Sequence, residues 1–175
     1  MLAVASIRLL PRLRARMADE PLLDPSTFES ARVVGTRETI LEHIPHRGRF
    51  ALLDGLLDAD PSGTLAVGFK EVRADDWWAP DHIPGRPIFP GVLMCEAAAQ
   101  LCSFHLVSKH PDRPEGFLGF AGMNETRFRG IVTPPSRLVL VAKPGKLRSR
   151  MFTYTTQGFV AGKLVFATEI LGTFF

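Results

Sequence analysis

The sequence predicts an α+β domain in which one long buried helix is wrapped by an antiparallel sheet of about five or six strands. Three observations carry this. Residues 91–110 (GVLMCEAAAQLCSFHLVSKH) hold no proline, no glycine after the first, and are apolar almost all the way round; a helix apolar on every face is a buried one. Between Phe50 and Val72, and again from Gly116 onward, the chain breaks into short apolar or alternating stretches separated by turn residues, the pattern of strands. Those strands follow one another through short connections, which suits antiparallel pairing.

The first 18 residues carry Arg8, Arg12, Arg14 and Arg16 and no acid. Subtracting those four charges from the formal +3 leaves the rest of the chain at −1, so the basic balance is no argument for nucleic-acid binding. Residues 1–35 read as an N-terminal extension. Its first part is a disordered tail or lies upstream of a true start at Met17, with an organelle transit peptide as the alternative. A single domain is then expected over 36–175. Thr36 can cap a short helix that Pro45 stops. Apolar stretches at 50–59 and 64–72 flank the turn residues Asp60, Pro61, Ser62 and Gly63. Residues 74–90 hold four prolines and form a long irregular loop, the kind that carries function. After the helix, strands are expected at 117–123, 126–128, 137–144, 148–157 and 163–174, with turns near Pro134-Pro135, Pro144-Gly145 and Ala161-Gly162. No run of 18 apolar residues marks a membrane span, so neither membrane nor nucleic acid is an expected partner.

The chemistry concentrates in His82-Ile83-Pro84-Gly85-Arg86-Pro87-Ile88-Phe89-Pro90-Gly91-Val92-Leu93-Met94-Cys95-Glu96. Pro90 and Gly91 stand where a helix begins. The backbone N–H groups of Gly91 and Val92 point out of that helix start, where an oxygen gaining negative charge is stabilised. Glu96 is a carboxylate in an otherwise apolar helix. It must either pair, with Gln100 one turn on as a partner, or sit in a cavity with a raised pKa. His82 lies in the loop just before. A histidine, a glutamate and a helix N-terminus make up a base, an acid and an oxyanion site.

The same segment closely resembles the active-site signature of the (3R)-hydroxyacyl-[acyl-carrier-protein] dehydratases of fatty-acid synthesis, which have the hot-dog fold. That signature reads roughly GHFPxxPxxPGVLxxEAxAQ. Two more blocks resemble the family in order. Ile44-Pro45-His46-Arg47 with Phe50-Ala51-Leu52-Leu53-Asp54 is similar to its LPHRxPFLLVD segment, and Phe120-Ala121-Gly122-Met123 through Arg127-Phe128-Arg129 to its FAGIDxxRFRxPVxPGD segment. The resemblance implies that His82 and Glu96 are catalytic and that the Gly91 amide, with Val92 beside it, binds the thioester carbonyl. Gln100 and Asp81 are supporting residues. Asp81 stands where the family has Gly, a carboxylate placed to raise the pKa of His82. Ile83 replaces Phe, Phe89 replaces Met and Pro135-Ser136 replaces Gly-Asp.

The implied reaction is reversible dehydration of a (3R)-3-hydroxyacyl thioester to the trans-2-enoyl thioester in fatty-acid biosynthesis. It needs no cofactor, because the thioester is the electron sink and nothing is oxidised. The implied partner is acyl carrier protein, met by basic residues such as Arg127, Arg129, Lys143, Lys146 and Arg148. The implied assembly is a homodimer or a trimer of dimers, in the cytoplasm. A hot-dog acyl thioesterase and a non-catalytic acyl-binding subunit are the alternatives. The first usually lacks the His-x-Pro-Gly-x-Pro loop, and the second would lack the His or the Glu. His46 reads as structural. His43 and His46 have no third metal ligand, so no metal is expected. Cys95 and Cys102 lie about 10 Å apart along one helix, too far for a disulfide.

Overall fold

The computed structural model describes residues 20–113, 116–148 and 150–175; the Arg-rich segment and Met17 fall outside the described residues. The helices are α1 (Thr27–Ser30), α2 (Arg37–Leu41), α3 (Ala79–His82) and α4 (Gly91–Lys109). The strands are β1 (Arg32–Thr36), β2 (Gly55–Asp58), β3 (Ala66–Val72), β4 (Leu118–Phe128), β5 (Ser136–Leu147), β6 (Met151–Val160) and β7 (Lys163–Phe174). They form one seven-stranded sheet in the order β1-β2-β3-β5-β6-β7-β4, with every pair antiparallel. This is one or two strands more than the sequence suggested.

The sheet curls round α4, as an all-round apolar helix requires. Ala97, Ala98, Leu101 and Cys102 are fully buried and meet Leu138, Leu140, Tyr154, Phe166 and Ile170 from the strands in one core. By length and composition α4 could cross a membrane; here half of it lies inside the protein. Cys95 and Cys102 are free thiols.

The opposite face of the sheet has its own apolar cover. Phe28 of α1 sits on Phe159, ring centroids 5.2 Å apart, with Leu57, Phe69, Val139 and Val141 around them and Leu22 and Leu23 at the border. The Leu22 N–H donates to Gln157 Oε1 at 2.7 Å, and Gln157 Nε2 donates to the Glu20 carbonyl at 2.9 Å. The folded unit therefore starts well before Thr36: residues 20–35, expected as part of an extension, cover the sheet and supply its edge strand β1. Five residues, four of them exposed, carry too little pattern to reveal a strand.

Two other boundaries differ. The expected strands at 117–123 and 126–128 are one strand, β4, whose register slips between Asn124 and Arg127 around a left-handed Glu125 at φ 52°. The expected turn at Pro144-Gly145 is an irregularity inside β5, where register with β6 shifts between Pro144 and Leu147. A bulge is one of the few places a sheet accepts proline.

Candidate active site

Glu96 stands in the second turn of α4, about one-third exposed. Gln100, four residues on, donates from Nε2 to Glu96 Oε1 at 2.8 Å. Gln100 is itself pinned: its Oε1 accepts the Leu52 N–H at 3.0 Å, and its Nε2 also donates to the Phe50 carbonyl at 2.6 Å. The second partner of Glu96 is His46, with Nε2 at 3.2 Å from Oε1. His46, followed by the Gln100 hydrogen bond, holds the Glu96 carboxyl below the usual carboxylate range, against the opposing pull of burial. Of the two options open to a carboxylate on this helix, Glu96 takes pairing.

His46, read from the sequence as structural, is brought against Glu96. It sits in the turn after α2, where Arg47 Nη1 donates to both the Ile44 and His46 carbonyls at 2.7 Å. Its Nδ1 is buried without a partner among the described residues. The available signal was its place in the Ile44–Arg47 block that resembled the dehydratases. His43 is taken up elsewhere, its Nδ1 2.9 Å from the Thr39 carbonyl.

His82 ends α3 and is exposed. Its Nδ1 lies 2.9 Å from the Ile88 carbonyl. A carbonyl can only accept, so Nδ1 carries the hydrogen and Nε2 is left with the lone pair of a base. The loop that holds it is rigid. Trp78 and Phe89, both buried, meet edge to face at 5.3 Å, and the Phe89 N–H donates to the Val132 carbonyl at 2.8 Å. Among the described residues of one chain, the side-chain partners of Glu96 are His46 and Gln100, not His82. Asp81 is exposed beside His82 and forms no ion pair with it among the described residues.

Gly91 and Val92 open α4 directly after Pro90. Their N–H groups precede the first intrahelical acceptor, so they are free to face a ligand oxygen. Gly91 has a second reason to be glycine: a Cβ there would lie 2.8 Å from the ring of Phe128 on β4. A cleft of about 170 Å³ opens beside Glu96, with His46, Ala99, Ser103, Phe120 and Phe152 among its walls. Among the described residues no three His, Cys, Asp or Glu side chains assemble a metal site.

A carboxylate with a polar clamp thus stands in the second turn of α4, behind the helix N-terminus, and a histidine stands in the loop that leads into it. The description "FabA-like domain" matches residues 44–169, the span that holds all of these groups. This chain belongs to the FabA-like family. Curated relatives include the 3-hydroxyacyl-[acyl-carrier-protein] dehydratases FabZ of Desulfotalea psychrophila, 34% identical over 136 residues, and of Syntrophobacter fumaroxidans, 37% identical over 137 residues. Each alignment takes in 77% of this chain and 90% of the relative. Solved structures agree on the hot-dog fold of this FabA-like chain. The dehydratase heterocomplex ApeI:P of Xenorhabdus doucetiae superimposes with a TM-score of 0.65 at 15% identity, over 82% of this chain and 92% of that one. The TT0310 protein of Thermus thermophilus gives 0.52 at 22% identity, over 74% and 100%.

Proposed function

We propose that this chain catalyses the reversible dehydration of (3R)-3-hydroxyacyl thioesters, carried on acyl carrier protein, to trans-2-enoyl thioesters in fatty-acid biosynthesis. It is a hydro-lyase. The observation that carries this reading is Glu96 paired with His46 and Gln100 in the wall of one cleft, on the helix whose first residues, Gly91 and Val92, leave their N–H groups outside the intrahelical ladder.

The steps follow from these groups. The thioester carbonyl sits on the Gly91 N–H, where the helix dipole favours the negative charge of an enolate. His82 Nε2 takes a proton from C2, and the electron pair moves toward that carbonyl. As the enolate collapses, the C3–oxygen bond breaks. Glu96 hydrogen-bonds the C3 hydroxyl and passes it a proton, directly or through water. Substrate binding shields Glu96 from bulk water, and desolvation favours its protonated form. Glu96, ionised in the free enzyme, takes that proton up from water as substrate binds, and His82 returns its own proton to water after turnover, so water is the only product released beside the enoyl thioester. Asp81 and Gln100 play supporting parts.

The reading includes a homodimer in which His82 from one chain works with Glu96 of the other. Two observations support it. Among the described residues, His82 is not a partner of Glu96 in its own chain. Strand β4 pairs only with β7 among the described residues and carries exposed Phe120, Met123 and Phe128, Phe120 in the wall of the cleft. An unpaired apolar edge calls for a second copy. The chain is read as a cytoplasmic enzyme, with residues before the docked lead-in dispensable for the reaction.

The test is an assay of 3-hydroxyacyl thioesters on acyl carrier protein and on coenzyme A, reading enoyl absorbance and free thiol together. Enoyl formation without thiol release is expected. Thiol release without enoyl formation would assign a thioesterase instead.

A further inference from the structure

On the proposed function, an acyl chain must run from the reacting carbons at Glu96 into the protein, and one face of α4 sets its direction. Glu96, Ala99 and Ser103 follow each other at helical spacing and line the catalytic cleft. Leu106 and Lys109 continue the same stripe and line a second cavity of about 400 Å³ near the far end of the helix. From Glu96 to Lys109 the stripe is about 20 Å long at 1.5 Å per residue. That would house a long acyl chain, yet the two cavities are separate.

Two rings stand at the division. Phe152 of β6 lines the cleft, and Phe174 of β7 lines the distal cavity. Their centroids are 6.0 Å apart with planes at 60°, and both side chains are buried. Strand register agrees with this placing. Phe152 pairs with Gly172 on one side, a residue of the cleft, and with Leu147 on the other, a residue of the distal cavity. Gly172 yields its space to the ring: a Cβ there would fall 1.9 Å from Phe152 Cζ. Tyr154 meets Phe152 edge-on at 6.0 Å and fixes the ring from behind.

We propose that Phe152 is the chain-length gauge of this site: its ring ends the cleft, confines the native enzyme to short acyl chains, and closes the way to the distal cavity. This rests on the acyl-thioester reading above. The cleft, about 170 Å³, is less than half the size of the distal cavity of about 400 Å³, so the native substrate class is short acyl chains rather than long ones.

The test is kcat/KM for 3-hydroxyacyl thioesters of increasing length. The native enzyme should lose at least about tenfold between eight and twelve carbons, on the scale by which apolar pockets discriminate. Phe152→Ala should raise the twelve-carbon value at least about tenfold relative to the four-carbon value. Phe152→Leu, which keeps most of the packing, should move the limit in the same direction by less. Ser103→Phe, on the cleft side of the ring, should shorten the limit. A native profile that is flat to sixteen carbons would overturn the gauge. So would folded Phe152→Leu and Phe152→Ala proteins that keep the native profile. Thermal-shift titration with unreactive S-alkyl pantetheine thioethers reads the same length limit without chemistry. A length limit in binding that moves with Phe152, in a protein that forms no enoyl product, would sink the dehydratase reading and leave the gauge standing.

Discussion

Asp54 and Glu96 are two partly buried carboxylates, both held below the usual carboxylate range, and the means differ. Asp54 is about 10% exposed. Burial pushes its pKa up, but Arg37, the Glu71 N–H and Lys70 together outweigh it. Arg37 Nη2 lies 2.5 Å from Oδ1, the Glu71 N–H donates to Oδ2 at 2.7 Å, and Lys70 and Arg73 both stand at 3.5 Å. Lys70, nearly fully buried, is shared with Asp76 at 3.1 Å. The partners of Asp54 are two guanidinium groups, one ammonium and one backbone amide. Glu96 has one histidine, one side-chain amide and an open side toward a cleft. The first arrangement locks a strand to a helix; the second leaves a carboxylate able to act. What separates the two carboxylates is the set of partners and the opening toward a cleft, not the direction of the pKa shift.

The sharpest break of that contrast is at the chemical end. Glu96→Gln and His82→Ala should each cost about 10²–10⁴-fold in turnover while the protein stays folded, as loss of a general acid or base does. Retention of more than about a tenth of native turnover by either folded variant would remove it from the mechanism. Refolding the two inactive chains together then tests the shared site. Random pairing makes about half of the dimers mixed, and each mixed dimer regains one intact site, so about a quarter of all sites should recover. Mixed dimers that stay inactive would place each site within one chain.

Asp54→Ala should act on stability instead. Leaving Lys70 and Arg37 without their shared carboxylate costs about 3–5 kcal/mol, with kcat of the folded fraction nearly unchanged. The pH dependence has a definite sign. The folded pKa of Asp54 is depressed, so its contribution is complete above the unfolded carboxylate value of about 3.9. It is lost as pH falls through the folded value. Chemical denaturation of native and Asp54→Asn protein between neutral and acid pH should therefore converge on acidification. Parallel curves would show that Asp54 adds no linked stability.

A smaller effect is expected at His46, a positioning residue that acts through Glu96. His46→Ala should lower kcat about 10- to 100-fold, the scale of one hydrogen bond to a charged group, with KM little changed. Because His46 is the leading cause of the lowered Glu96 pKa, its removal should move the limb of the kcat/KM profile governed by Glu96 to higher pH. His46→Gln, which keeps a donor, should recover part of both. An unmoved pH profile in His46→Ala would return His46 to a purely structural part.

How much of this was legible depended on the range of the interaction. The buried helix can be read because its apolar character needs no neighbour to be recognised, and the strand expected at 163–174 coincides with β7. Glu96 and Gln100 can be read together because helical spacing alone brings i and i+4 side chains into contact. His46 cannot, because its contact with Glu96 spans 50 residues and depends on how the turn after α2 docks on α4. The docked lead-in fails for a similar reason. Leu22 and Phe28 are isolated apolar residues whose burial is decided by Gln157 and Phe159 at the other end of the chain.

That last point gives the smallest predicted effect, and it sharpens a second comparison, between the two halves of the N-terminal 35 residues. Deleting residues 1–16 removes the Arg-rich segment and keeps the Glu20 carbonyl that accepts from Gln157. Turnover and melting temperature should be unchanged. Deleting residues 1–30 removes Leu22, Leu23 and Phe28 and exposes Phe159, Val139 and Val141. Loss of one buried Phe alone costs about 3–5 kcal/mol. For a domain of this size that is a fall in melting temperature of roughly 10 °C. Thermal unfolding of the two truncations beside the full chain decides the matter. A marked loss on removing residues 1–16 would show that the basic segment also packs on the domain. No loss on removing residues 1–30 would show that the outer apolar cluster contributes nothing to the fold it covers.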